Sequence, residues 1–166
     1  LHRFFNWLNE GENIPFAVCK TDGNKKLPFV CFSTLPAVTC PGAGDCLNWC
    51  YSYKAWRYPS AFLRQLQNTL LMHNFSIIRN ELIKLLNLPK FKKLNKIDFR
   101  LYVDGDFKTV NEITNWMELL KDYSKINAYG YSKSLHFFKA LKENNYNFPT
   151  NYVLNLSNGG KFDFLH

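Results

Sequence analysis

IDFRLYVDGDFKTVNEITNWMELLKDYSKINAYGYS, residues 97–132, decides the fold class. Residues 97–103 alternate apolar and polar side chains, which is typical of a β-strand. Residues 108–122 carry apolar side chains at helical spacing, and residues 126–132 form a second alternating stretch. A strand, a helix and a strand in this order predict two parallel strands joined by a right-handed crossover.

The same pattern continues on both sides of this segment. A helix is predicted over 134–144 and a strand over 152–157, and a long helix precedes the segment over roughly 60–87. We therefore predict an α/β protein with a mainly parallel sheet and crossover helices, similar to part of a (β/α) barrel. The length of 166 residues suits a single α/β domain over 1–166.

The N-terminal part carries a hairpin signal. Residues 14–20 and 27–33 have strand-like composition, and the turn between them contains Asp22-Gly23. We predict an N-terminal β-hairpin whose two cysteines, Cys19 and Cys31, are buried and unligated.

The composition is basic. The net charge is +8, from 21 Lys+Arg against 13 Asp+Glu, which suits an anionic partner such as DNA or RNA. The alternative is a solvated lysine-rich surface. The predicted nucleic-acid contacts are Arg57, Arg64, Lys90, Lys92 and Lys93.

The cellular compartment is predicted from features that the sequence lacks. It has no run of about 18 apolar residues and no signal peptide, so we predict no membrane span and a cytoplasmic protein. Five cysteines, an odd number, fit a reducing compartment. Because the first residue is not Met, the chain is expected to be a fragment or a processed product.

Three cysteines, Cys40, Cys46 and Cys50, lie close together in the segment LPAVTCPGAGDCLNWCY (35–51). The Pro/Gly stretch after Cys40 predicts a loop, and a helix starting in LNWC places Cys46 and Cys50 on one face. Thiolates gathered in this way suit a metal ion or an iron–sulfur cluster. We predict that the three bind one centre, while a disulfide and unligated thiols are the alternatives.

Polar side chains follow the predicted strands at their carboxyl ends, where parallel sheets place ligands. Since these ends meet at one edge, we expect one site there, beside the cysteine loop. The candidate residues are Asp104, Gly105, Asp106, Tyr131, Ser132, Lys133, Asn155 and Ser157.

Four segments, 35–51, 99–107, 128–134 and 151–160, together resemble the gene product 88 family, which phages and plasmids encode. The resemblance implies a mobile-element protein, located in the host cytoplasm if it is phage-encoded. The family brings no established activity.

A more distant likeness is to radical S-adenosylmethionine enzymes, whose partial barrels carry three cysteines after the first strand. It implies a [4Fe–4S] cluster with S-adenosylmethionine, although the spacing here is C-x5-C-x3-C rather than C-x3-C-x2-C. The implied cofactor-binding residues are Asp104, Gly105, Asp106, Asn155 and Ser157. The implied catalytic residues are Asp104, Asp106, Lys133 and Tyr131.

Two further interpretations remain open. In one, the chain is a metal-dependent nuclease or other nucleic-acid-processing protein, in which Asp104 and Asp106 hold a divalent metal and the cysteines hold structural zinc. In the other, it is a non-enzymatic interaction module with a buried thiol cluster.

Overall fold

A parallel β-sheet forms the centre of the molecule. The computed structural model describes residues 1–11, 13–22 and 29–166. The strands are β1 (Val30–Cys31), β2 (Ile97–Leu101), β3 (Ile126–Ser132) and β4 (Tyr152–Leu156). They lie in the order β1-β2-β3-β4, and each neighbouring pair is parallel. The predicted α/β class with a mainly parallel sheet is confirmed.

Helices make the crossovers between the strands. The α-helices are α1 (His2–Glu10), α2 (Pro59–Leu71), α3 (Phe75–Leu86), α4 (Pro89–Lys92), α5 (Val110–Asp122) and α6 (Leu135–Glu143). Three of them connect β1 to β2, while α5 and α6 each connect one later pair. The strands follow one another across the sheet in chain order, so each connection runs in the same direction. Right-handed crossovers therefore place α5 and α6 on one face of the sheet.

The alternation along β2 shows how the two faces differ. Ile97, Phe99 and Leu101 are buried, whereas Asp98 is exposed and Arg100 is half-buried. Apolar side chains thus pack under the helices, and the opposite face carries polar groups. On this second face, the Arg100 side chain lies next to the carboxyl edge of the sheet.

Trp116 of α5 is the centre of the core. Its ring centroid lies 4.9 Å from that of Phe32, 5.0 Å from Phe75 and 5.6 Å from Phe99. The contacts with Phe32 and Phe75 are edge-to-face and the contact with Phe99 is tilted, and such aromatic pairs stabilise beyond the area they bury. They hold α3, α5 and the first two strands together below the carboxyl edge.

The predicted helix over 60–87 is wrong as one element, because α2 and α3 are separated by a 3-10 turn at Met72–Asn74. Asn74 leaves helical geometry, with φ −133° and ψ 75°, and its side chain accepts a hydrogen bond from Ser76 Oγ at 2.6 Å. Such local bonds compete with the helix and favour a boundary.

The predicted helix starting in LNWC is also wrong as an α-helix. Two 3-10 helices, Asp45–Trp49 and Tyr51–Arg57, flank Cys50, whose ψ of 112° is extended. Cys46 and Cys50 are therefore not one α-helical turn apart on a common face.

Of the predicted hairpin, the described residues show one antiparallel bridge. It joins Lys20 and Cys31 through backbone hydrogen bonds of 2.9 and 2.8 Å. The predicted turn from residue 23 onward lies outside the described residues. Residues 14–19 do not form a strand. The reason is that Gln67 of α2 takes the place of a neighbouring strand: its side chain bonds both the N–H and the carbonyl of Phe16.

None of the helices in the described ranges has the length and apolarity that a bilayer crossing needs.

Candidate functional site

A cavity of about 280 Å³ lies at the carboxyl edge of the sheet. It brings together most of the site residues predicted from the sequence, although they come from four separate parts of the chain. These residues are Cys40, Cys46, Cys50, Gly105, Asp106, Tyr131, Lys133 and Ser157. Asp104, Ser132 and Asn155 do not line it.

All five cysteines are free thiols, so the disulfide alternative is not found. Cys19 and Cys31 are buried, as predicted, while the three cysteines of the loop are half-buried. Burial, and then the nearby carboxylate of Asp106, raises the pKa of Cys40 to about 12. The Cys40 thiol is therefore protonated at neutral pH in the metal-free chain.

The three loop thiols are close enough for Cys46 and Cys50 each to raise the pKa of Cys40. They do not, however, converge on one point. Within the described ranges, no group of three or more His, Cys, Asp or Glu side chains is placed to hold a metal ion. The structure thus has a shared thiol-lined cavity but not a preformed single-ion site.

The cysteine loop is fixed by the segment that follows β4. The N–H groups of Gly44 and Cys46 both donate to the carbonyl of Gly159, at 3.3 and 3.1 Å. The N–H of Lys161 donates to the carbonyl of Gly42 at 2.8 Å. Backbone bonds between residues more than a hundred positions apart therefore position the thiols.

Two glycines allow the backbone to pack closely here. A Cβ on Gly42 would lie 2.0 Å from the carbonyl oxygen of Lys133, so the loop touches the end of β3 directly. Gly105 has φ +80°, and a Cβ there would lie 2.1 Å from Thr34 Oγ1. Both positions therefore require glycine.

Asp106 joins the ends of β2 and β3. Its Oδ1 accepts hydrogen bonds from Ser132 Oγ and the Phe107 N–H, both at 2.7 Å. Its Oδ2 accepts from the N–H groups of Lys133 and Ser134, at 2.8 and 3.1 Å. Burial raises the pKa of Asp106, and these donors oppose that rise. Both carboxylate oxygens are occupied by the protein itself.

Asp104 faces a different cavity from Asp106. Its Oδ2 accepts a hydrogen bond from Gln65 Nε2 at 3.0 Å, and burial raises its pKa. The two carboxylates of the DGD motif therefore do not point into a common space, and this arrangement does not favour a shared divalent metal.

Lys133 and Tyr131, predicted as catalytic residues, both line the cavity. Lys133 Nζ donates to Ser157 Oγ at 2.6 Å, which joins the ends of β3 and β4. Tyr131 is 48% exposed, and the guanidinium of Arg100 lies 5.3 Å from its ring centroid. Sequence reasoning missed Arg100. Its signal was a charged residue between the apolar Phe99 and Leu101, on the sheet face opposite their side chains.

Aromatic side chains at the cavity were also missed. Trp49 is 64% exposed and Tyr51 is 57% exposed, although both line the cavity. Tyr51 Oη donates to the carbonyl of Val103 at 2.9 Å, which ties the second 3-10 helix to the end of β2.

The residues predicted to contact nucleic acid are not among those that line this cavity. Arg57 and Lys90, Lys92 and Lys93 are exposed. Arg64 is half-buried in α2.

Comparison with protein families shows which family the chain comes from: the model of the family described as gene product 88 matches residues 11–165. The chain belongs to this family. Comparisons with curated proteins and with solved structures give no match. The matched region of the gene product 88 chain contains the cysteine loop, the DGD motif and the residues after β3 and β4, so it contains the whole cavity lining.

Proposed function

We propose that this chain is a mobile-element protein that binds an iron–sulfur cluster through Cys40, Cys46 and Cys50. The observation that carries the proposal is that the three free thiols line one cavity at the carboxyl edge of a parallel sheet. The ends of β2 and β3 bring polar groups to the same cavity. A buried structural thiol cluster needs neither a cavity nor these polar neighbours.

We propose a cluster rather than a single zinc ion. A tetrahedral zinc site needs its ligands around one point, and the described residues contain no such group. In a cluster each thiolate binds a different iron, so the sulfurs stand farther apart. The same geometry gives the structural-zinc alternative no support.

Three thiolates leave one iron of a [4Fe–4S] cluster open, and we propose S-adenosylmethionine as its ligand. When bound, a reduced cluster supplies one electron to the cofactor's sulfonium. Lys133 and Arg100 offer cationic groups for a carboxylate, and Ser157 offers a hydroxyl. Since both oxygens of Asp106 are occupied, its proposed part is to hold the N–H groups of residues 133 and 134 in place.

The test is metal and sulfide analysis of protein purified without oxygen. We expect about four iron and four sulfide per chain and absorbance in the visible iron–sulfur region. Addition of S-adenosylmethionine to the reduced protein is expected to cause its reductive cleavage. Protein without iron after anaerobic reconstitution would contradict the cluster. A cluster without cofactor cleavage would contradict only the enzymatic part.

Nucleic-acid binding is a second candidate function. It is favoured by the net charge of +8 and by two exposed lysines, Lys92 at the end of α4 and Lys93 directly after it. We expect affinity for DNA or RNA to fall steeply as salt rises, because phosphate contacts release counterions. Replacing both lysines by Gln should weaken binding, measured by fluorescence anisotropy. Gln at Lys139 and Lys142 on α6 makes the same charge change and serves as the control. Binding at low salt that both double variants retain equally would exclude this surface.

A further inference from the structure

A second cavity, of about 320 Å³, lies beside the thiol-lined one. It is bounded by β1, β2, the start of α2 and the segment that pairs with β1. Three cationic side chains line it: Lys20, Arg64 and Arg100. They reach it from three parts of the chain that are distant in sequence.

The two arginines have unused hydrogen-bond donors. The Nε atoms of Arg64 and Arg100 are both shielded from solvent and have no hydrogen-bond partner among the described residues. Neither arginine forms an ion pair within the part of the chain that the structure describes, whereas Arg79 on α3 pairs with Asp122. Buried donors without a partner are costly and rare in folded proteins.

Charge in this cavity is not balanced by its own lining. Asp104 is its single carboxylate among the described residues, set against three cations. The Asp104 side chain also accepts a hydrogen bond from Gln65 Nε2 at 3.0 Å. Glu81 lines the neighbouring cavity on the other side of Arg64. The cavity therefore keeps an excess of positive charge, and because the Nε atoms are shielded, a ligand in it would meet the terminal Nη groups of the two arginines.

We propose that this cavity, defined by Lys20, Arg64 and Arg100, binds the phosphate group of a small organic phosphate. Guanidinium groups present planar donor pairs that match phosphate oxygens, and an ammonium adds a third point of contact. The apolar side chains of Val18 and Phe29 line the same cavity and offer a surface for the organic part.

The position of the cavity links it to the thiol-lined site without depending on that site. Arg100 and Val103 line both cavities, so the two lie side by side. None of the three loop cysteines lines the cationic cavity. Phosphate binding is therefore expected whether or not a cluster is present.

The experiment is titration calorimetry of the full chain with inorganic phosphate and with ribose 5-phosphate at constant ionic strength. We expect saturable binding of both, and a rise in melting temperature with phosphate concentration. Arg64→Met should lower the affinity about tenfold or more, since it removes charge-assisted hydrogen bonds. Arg64→Lys keeps the charge but loses the planar donors, so an intermediate loss is expected.

Arg79→Met is the matched control, because it removes an arginine that already has an ion-pair partner. It should leave phosphate affinity unchanged. Phosphate binding that survives in Cys46→Ser would show that this site stands even if the cluster proposal fails. No saturable phosphate binding, equal binding by Arg64→Met and the unaltered chain, or binding of acetate but not phosphate would each overturn the assignment.

Discussion

Cys46→Ser protein is expected to lose its iron. After anaerobic reconstitution, the iron and sulfide content should fall at least about tenfold, because a hydroxyl is a poor ligand for cluster iron and site formation requires all three thiolates. The Cys46 side chain lines the cavity. The Cys46 backbone N–H bonds the carbonyl of Gly159 at 3.1 Å, and serine retains that bond. The loop can therefore keep its position while the ligand is lost.

Cys19→Ala is the control for this experiment. Cys19 is also a free thiol, but it is 2% exposed and belongs to the hydrophobic core. Its removal should lower stability modestly and leave the iron content unchanged. Iron retained by Cys46→Ser, or lost equally in Cys19→Ala, would show that the loop thiols are not the ligands. Circular dichroism of both variants checks that the fold is kept.

The fold class could be predicted because it depends on local pattern. Alternation at Ile97, Phe99 and Leu101 identifies a strand buried on one face, and the helical spacing that follows identifies the crossover. Side-chain hydrogen bonds that compete with regular secondary structure were harder to predict from the sequence. The break at Asn74 depends on one side-chain hydrogen bond, and the segment around Phe16 is held by Gln67 instead of a strand.

The location of the site could also be predicted, because parallel strands bring their carboxyl ends to one edge. The individual side-chain roles could not. Asp104 and Asp106 are identical side chains two residues apart, yet they face different cavities. That difference arises from φ +80° at Gly105 and from donors such as Ser132 that are distant in sequence. The cationic pair Arg64 and Arg100 likewise depends on tertiary packing alone.

Asp106→Asn is expected to destabilise the protein by about 1–3 kcal/mol at neutral pH, the cost of leaving a buried N–H donor without its acceptor. Asp106 is 4% exposed, and its two oxygens accept two hydrogen bonds each. An asparagine presents one NH₂ group where an oxygen stood. With the amide nitrogen towards Lys133 and Ser134, both of their N–H groups lose their acceptor. Turned the other way, the Phe107 N–H loses its acceptor, while the Ser132 hydroxyl can rotate and accept from the amide.

Asp98→Asn is the matched control, because Asp98 lies on β2, is exposed and accepts one hydrogen bond, from Asn127 Nδ2 at 3.1 Å. Its effect should stay within about 0.5 kcal/mol, as for most surface substitutions. The free energy of unfolding is measured by urea denaturation of metal-free protein, so that cluster loss does not contribute. A destabilisation by Asp106→Asn no larger than that of Asp98→Asn would show that Asp106 does not hold the strand ends together.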